Sequence, residues 1–269
     1  MRFVKYHGTG NDFILLKEED TYGEDYSALA RKMCHRNYGI GADGLIVASY
    51  SKTQDMRMQY YNQDGSEAPM CGNGLRCFAR FVHEEGLERK RSFTVETLGG
   101  EMSVQMGSSY ENITVSMELP LERLFYPYAS ENIRLGEART LTVHGNTFEL
   151  YALFLGTLHG VIFTDREVSE EEAKELCHHE LFPERINVNF VKRTGEAGLH
   201  VRTYERGVGF TLSCGTGAMA SAYMANLVEG FPKNISVRVP GGDLWVSLDE
   251  KVHLTGPSVK IAEGVMYVE

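Results

Sequence analysis

Twice in this chain a cysteine stands directly before Gly-x-Gly and a helix-like stretch. "PMCGNGLRCFARFV" runs from Pro69 to Val82, and "LSCGTGAMASAYMA" runs from Leu212 to Ala225. A device built once in each half constrains the fold more than any bulk property, because it points to an internal duplication. The rest of the pattern agrees. Short β-rich runs dominate, among them "RFVKYHG", "GLIVASY", "DMRMQYYN", "SFTVETLG", "INVNFVKR", "GLHVRTYE" and "ISVRVPGG". Their alternation and their Gly, Asn and Asp boundaries support strands. Helical spacing is rarer. "EDYSALARKMCHRN" puts Tyr26, Leu29, Ala30 and Met33 on one face, and "SEEEAKELCHH" opens with Ser169 three residues before Glu172, a capping-box signature. Each half thus holds strands, one outer helix and one Cys-Gly-x-Gly helix. That predicts an α+β protein of two similar domains meeting in a cleft, a favoured place for ligand sites.

A cysteine at a helix start sits near about +0.5 of an elementary charge from the aligned peptide dipoles. That field favours thiolate, and helix N-termini lower a thiol pKa from its usual ~8.5. The same end offers backbone N–H groups without intrahelical partners, and Gly72, Gly74, Gly215 and Gly217 let that backbone approach a ligand closely. A carboxylate suits such a place. Two such ends facing one substrate carboxylate would set its α-carbon between two sulfurs. One thiolate would take the α-proton from one face and the other thiol would deliver a proton to the opposite face, inverting the centre without metal or cofactor. Two rivals stay open: a carboxylate-binding module without catalysis, and a thiol redox switch between Cys71 and Cys214.

Composition narrows the classes. At 42% hydrophobic, 24% charged and a formal net charge of −10, the 269 residues describe an acidic globular chain and argue against a nucleic-acid partner. No apolar run approaches the ~20 residues that span a bilayer, and the N-terminus lacks a secretory h-region, so a cytoplasmic protein with no membrane partner is expected. Cys34, Cys71, Cys77, Cys177 and Cys214 form no CxxC pair, so free thiols and no metal site are expected. Cys34, Cys77 and Cys177 lie inside helical patterns and are assigned to packing.

Over nearly its whole length the chain resembles the diaminopimelate epimerase family, the cofactor-independent racemases of two-cysteine type. The resemblance is carried by "HGTGNDF", "YNQDGSEAPMCGNGLRC", "FPERINVNFV" and "YERGVGFTLSCGTGA". It implies two pseudo-symmetric domains, each a strand-rich barrel around a central helix, with the active site in the cleft between them. The domains would span 1–116 plus 260–269, carrying Cys71, and 117–259, carrying Cys214. It implies that Cys71 and Cys214 are the acid/base thiols, and that Gly72, Asn73, Gly215 and Thr216 bind the reacting carboxylate. Asn11 would contact the substrate near the reacting centre. Asn62, Asn187 and Arg206 would hold the far end with its second carboxylate. His159 and Glu205 would serve catalysis by orienting the substrate ammonium and tuning the thiols. The implied role is LL-/meso-diaminopimelate epimerase of lysine and cell-wall biosynthesis, without cofactor, acting on a small amino acid, with a homodimer admitted.

Two positions depart from the family pattern. Thr157-Leu158-His159 stands where members usually have Asn-Pro-His, and Phe210 stands where they usually have Glu. Thr157 would contribute a hydroxyl to substrate binding in place of an amide. These exchanges leave a same-family racemase of another amino acid, such as histidine, as the alternative. Asp64 is read as a turn former.

Overall fold

Strand β1 (Arg2–Gly8) turns sharply into β2 (Asn11–Lys17) through Thr9 and Gly10, both at positive φ, 51° and 88°. Positive φ at both central residues matches the twist of a tight hairpin, and it sets Asn11 at the head of β2. Helix α1 (Tyr26–Cys34) follows, N-capped by the Asp25 carboxylate. Then come β3 (Gly44–Ser49), β4 (Met56–Asn62), the short β5 (Glu67–Ala68), α2 (Gly72–Glu84), β6 (Ser92–Thr97), β7 (Gly100–Met106) and β8 (Ile113–Met117). The pairing is β1–β2 antiparallel, β2–β3 parallel, β3–β4 antiparallel, β4–β6 parallel and β6–β7 antiparallel. Parallel neighbours need a crossover, and α1 and α2 supply the two.

After β9 (Arg123–Leu124) and β10 (Ile133–Arg134), which pair with each other, the same wiring repeats. β11 (Ala138–Val143) leads into β12 (Asn146–Leu155) and β13 (Thr157–Phe163); α3 (Glu170–Cys177) crosses to β14 (Asn187–Arg193). β15 (Gly198–Glu205), the short β16 (Gly209–Phe210), α4 (Gly215–Glu229), β17 (Asn234–Val239), β18 (Gly242–Leu248) and β19 (Val252–Gly256) complete it. β12–β13 is antiparallel, β13–β14 parallel, β14–β15 antiparallel, β15–β17 parallel and β17–β18 antiparallel. The sequence of hands matches the first repeat pair for pair. β20 (Val259–Val265) finally pairs with β1.

The computed structural model describes residues 1–21 and 23–267. They fall into two units, Met1–Ser116 with the stretch from Thr255 onward, and Met117–Leu254. Val268 and Glu269, at the end of the segment expected to return to the first domain, lie outside the described residues. Each unit wraps its sheet around one buried helix. α2 touches β1, β2, β3 and β7, and α4 touches β12 to β15, β17 and β18. α1 and α3 pack on the outer faces. Leu29, Ala30 and Met33 meet Ile14, Leu16 and Leu45, while Ala173 and Leu176 meet Ile162, Val188 and Phe190. Ser169 and Glu172 form the expected capping box. No helix among the described residues is long and apolar enough to cross a membrane.

Two of the longer strands, β2 and β7, fall outside the β-rich runs of the sequence. β2 is buried on both faces between α1 and α2, so its run "DFILL" shows no alternation. β7 alternates, and it opens directly on the Gly99-Gly100 turn. The β-rich run "RTLTVHGNTFELYALFLGTLHGVIF", from Arg139 to Phe163, resolves into β11, β12 and β13. It turns at His144-Gly145 (φ 50° and 77°) and at Gly156 (φ 69°).

Candidate functional site

Cys71 and Cys214 occupy the same structural position. Each is the N-cap residue of its unit's central helix, with extended backbone: φ −142°, ψ 120° at Cys71 and φ −119°, ψ 108° at Cys214. Each sulfur accepts the N–H of the third helical residue, Gly74 at 3.5 Å and Gly217 at 3.4 Å. Helices prefer an oxygen at this position, so a sulfur at both caps is not explained by helix stability. What it gains is a thiol on the positive end of a helix, beside the outward N–H groups of Gly72 and Asn73 or of Gly215 and Thr216. The other three cysteines differ in kind. Burial pushes the thiols of Cys34 and Cys77 up to about 12 and raises that of Cys177, which keeps them protonated and inert.

The partners of the two sulfurs differ. Cys71 Sγ donates to Asn11 Oδ1 at 3.5 Å, and Asn73 Nδ2 donates to the same oxygen at 3.4 Å. Asn11 presents that oxygen because its Nδ2 donates to Asp43 Oδ2 at 2.6 Å, and Asp43 is held by Arg36 at 2.6 Å. Asn73 is fixed from behind by the fully buried Arg76, whose Nη2 donates to its Oδ1 at 3.0 Å. Cys214 Sγ instead lies 3.5 Å from Thr216 Oγ1. In the first unit, Asn11, Cys71, Gly72 and Asn73 are therefore brought together. Asn62 is tied to its own turn, accepting from Tyr60 and donating to Ser66. Asp64 accepts from Ser66 and closes that turn.

In the second unit the polar side chains line one face of three adjacent strands. Thr157 and His159 alternate on β13, Asn187 and Asn189 on β14, Thr203 and Glu205 on β15. The cross-strand partners are His159 with Asn187 and Asn189 with Thr203. Arg206 is clamped at three points. Its backbone N–H donates to Asn187 Oδ1 (2.9 Å), Nη2 to Thr157 Oγ1 (2.8 Å) and Nη1 to the Glu184 carbonyl (3.0 Å). Glu205 accepts from Thr211 at 2.6 Å. Phe210 turns its ring into packing, edge-on to Tyr204, against Phe190, and beneath the Arg202 guanidinium at 4.4 Å.

Under the two cysteine helices the matching positions carry opposite chemistry. A Cβ on Gly74 would meet Ile46 Cδ1 at 3.0 Å and Phe13 at 3.5 Å; one on Gly217 would run into Asn189 Oδ1 and lie 2.9 Å from Thr203 Oγ1. Gly74→Ala needs only a small shift of a flexible Ile tip, whereas Gly217→Ala pushes on a buried, hydrogen-bonded amide. We expect Gly74→Ala to cost under ~1 kcal/mol and Gly217→Ala roughly 2–4 kcal/mol in urea unfolding. Equal losses would refute the asymmetry.

Two halves with the same wiring, each ending a strand-to-helix turn on a cysteine cap, are a narrow class of architecture. A family model, Diaminopimelate epimerase, matches residues 3–120 and 154–264. The chain belongs to the diaminopimelate epimerase family. It is 39% identical over 275 residues to the diaminopimelate epimerase of Alkaliphilus metalliredigens, covering 98% of this chain and 97% of that one. It is 40% identical over 274 residues to that of Caldanaerobacter subterraneus, covering 98% of each. Among solved structures it is similar to the Bacillus anthracis phenazine biosynthesis protein of the PhzF family. There the TM-score is 0.73 at 17% identity, over 100% of this chain and 99% of that one, a likeness of fold. Within this family's frame, sequence reasoning missed Asp43, Arg76, Asn189 and Thr203. The signal for the last two was present, in the polar residues spaced two apart on three consecutive predicted strands.

Proposed function

We propose that this chain is a pyridoxal-phosphate-independent epimerase that inverts the α-carbon of diaminopimelate between its LL and meso forms. The observation that carries the reading is the paired cysteine N-cap, reproduced in both halves with the same backbone and the same sulfur-to-N–H contact. In the proposal Cys71 and Cys214 are the two acid/base groups. The helix-end N–H groups at Gly72, Asn73, Gly215 and Thr216 bind the reacting carboxylate and take up the charge that grows on it as the α-proton leaves. Asn11 contacts the reacting head. Asn62, Thr157, Asn187 and Arg206 take the distal head, Glu205 serves the ammonium and the thiols, and His159 serves the reacting head.

The two departures from the family pattern do not require another substrate. Thr157 is engaged in holding Arg206. Phe210 is engaged with Tyr204, Phe190 and Arg202. Phe210→Ala is therefore expected to lower unfolding free energy by about 2 kcal/mol, since the ring is only partly buried. It should leave the preference for diaminopimelate over histidine within twofold. A switch of preference would make Phe210 a substrate contact.

The test of the activity is incubation of the reduced protein in D2O with LL-diaminopimelate and, separately, with L-histidine and other amino acids. Proton NMR follows loss of the α-proton and chiral chromatography follows inversion. Exchange with inversion of diaminopimelate is the expected result. Tight binding without exchange would leave a binding module, and turnover of histidine alone would reassign the substrate.

A further inference from the structure

Behind Gly217 lies a short buried chain of side chains with no counterpart in the first unit. Thr203 Oγ1 donates to Asn189 Oδ1 at 2.9 Å. Asn189 Nδ2 donates to the Gly160 carbonyl at 3.0 Å and lies 3.3 Å from His159 Nδ1. The corresponding residues of the first unit, Phe13, Ile46 and Tyr60, form an apolar cluster in which Phe13 and Tyr60 meet edge to face. His159 is completely buried, and its Nε2 has no hydrogen-bond partner among the described residues.

The amide of Asn189 has one tolerable orientation. Turned over, its oxygen would face the Gly160 carbonyl at 3.0 Å, acceptor against acceptor, and the amide would lose the one backbone partner its NH2 now serves. With the oxygen toward Thr203, the NH2 points at Gly160 O and at His159 Nδ1. A donor aimed at Nδ1 requires that nitrogen to be the unprotonated one. The ring proton is then on Nε2. Full protonation would set Nδ1–H against the Asn189 NH2. Burial, and after it the charge of Arg206, push the imidazole down to about 3, in the same direction.

We infer that Asn189, locked by Thr203, holds His159 as the neutral Nε2–H tautomer, so that His159 acts as a hydrogen-bond donor and not as a base. The role rests on the epimerase reading; the tautomer does not. Nε2–H then takes an anionic oxygen, the substrate carboxylate or the enediolate-like oxygen it becomes. A buried donor without a protein acceptor is a standing cost to the fold, and an acceptor that arrives with the ligand accounts for its retention. Asn189 and Thr203 are positioning residues, acting only through His159.

The experiment is long-range 1H–15N NMR on the free protein labelled with 15N histidine, with His159→Gln assigning the signals by their loss. Wild-type protein is expected to show His159 with Nδ1 unprotonated and Nε2 protonated. Asn189→Asp replaces the donor with a carboxylate, which accepts at Nδ1. The His159 pattern should then convert to Nδ1–H or to imidazolium, and kcat should fall by roughly tenfold or more while KM moves little. Thr203→Val removes only the lock and keeps the shape, so it covers the case in which the charged variant does not fold. It should give a mixture of the two tautomers. An Nδ1–H pattern in the wild type, or no change in either variant, overturns the inference. A protein that shows the Nε2–H tautomer yet exchanges no α-proton would overturn the epimerase reading and leave the tautomer assignment standing.

Discussion

Replacing either Cys71 or Cys214 with serine is expected to lower stereoinversion by about 10³-fold, within the 10²–10⁴ range of general acid–base catalysis, while leaving the fold at least as stable. Serine separates the cap role of each cysteine from the acid/base role proposed for it. As an N-cap its oxygen accepts the Gly74 or Gly217 N–H at shorter range than the present 3.5 and 3.4 Å sulfur contacts. Serine is also among the preferred cap residues. The structural role is therefore kept or improved. The chemical role is lost, because a hydroxyl neither ionises near neutral pH nor gives up its proton as a thiol does. Alanine would remove both roles, and a loss of activity could then be ascribed to a frayed first helical turn. If the two groups act as one unit, as proposed, the double variant should be little worse than either single one. Chiral chromatography measures the rates and urea denaturation the stability. Serine variants that retain more than a tenth of the wild-type rate would remove the thiols from the chemistry.

Much of this arrangement was legible in the sequence, and the exceptions share a cause. The cysteine caps and the capping box at Ser169 are local, as is the end of α4 at the left-handed Gly230 (φ 70°): a few adjacent residues decide them, and propensity and capping rules apply directly. The duplication was visible as a matched order of elements. What the sequence did not disclose is which polar residues answer one another across strands. Asp43 is remote in sequence from Cys71, yet it sets the face that Asn11 presents to that thiol. Thr203 and Asn189 are neighbours only through the β14–β15 register. Phe210 shows the converse. As a letter replacing the family's Glu it suggested a changed pocket. In the structure its ring lies among Tyr204, Phe190 and Arg202, and local packing explains it. Pairings of this kind depend on register, and one strand slipped by one residue would turn every one of them to the opposite face.

The second large effect is expected at Arg206. Its side chain donates to Thr157 and to the Glu184 carbonyl, and to no carboxylate among the described residues. A guanidinium carries five N–H donors in a fixed fork, so these two contacts orient the group and leave donors for a ligand. If a second substrate carboxylate takes them, two charge-assisted hydrogen bonds of about 1.5–3 kcal/mol each are at stake. Not all of this is lost on substitution, because water partly replaces the guanidinium at a half-exposed site. Arg206→Met should therefore lower kcat/KM for diaminopimelate by roughly 10²–10³-fold, each tenfold corresponding to about 1.4 kcal/mol. Arg206→Lys should fall between, since an ammonium restores charge but cannot pair bidentately. Thr157→Val loosens the clamp without removing the cation and should cost only about threefold to tenfold, one neutral hydrogen bond. The control is the D2O exchange of an amino acid with a single head, which has no distal carboxylate to lose. Any slow exchange it shows should change by less than about twofold on going to Arg206→Met. Equal losses on both substrates would mean that Arg206 serves the fold or the reacting head, and the assignment of the distal carboxylate would fail.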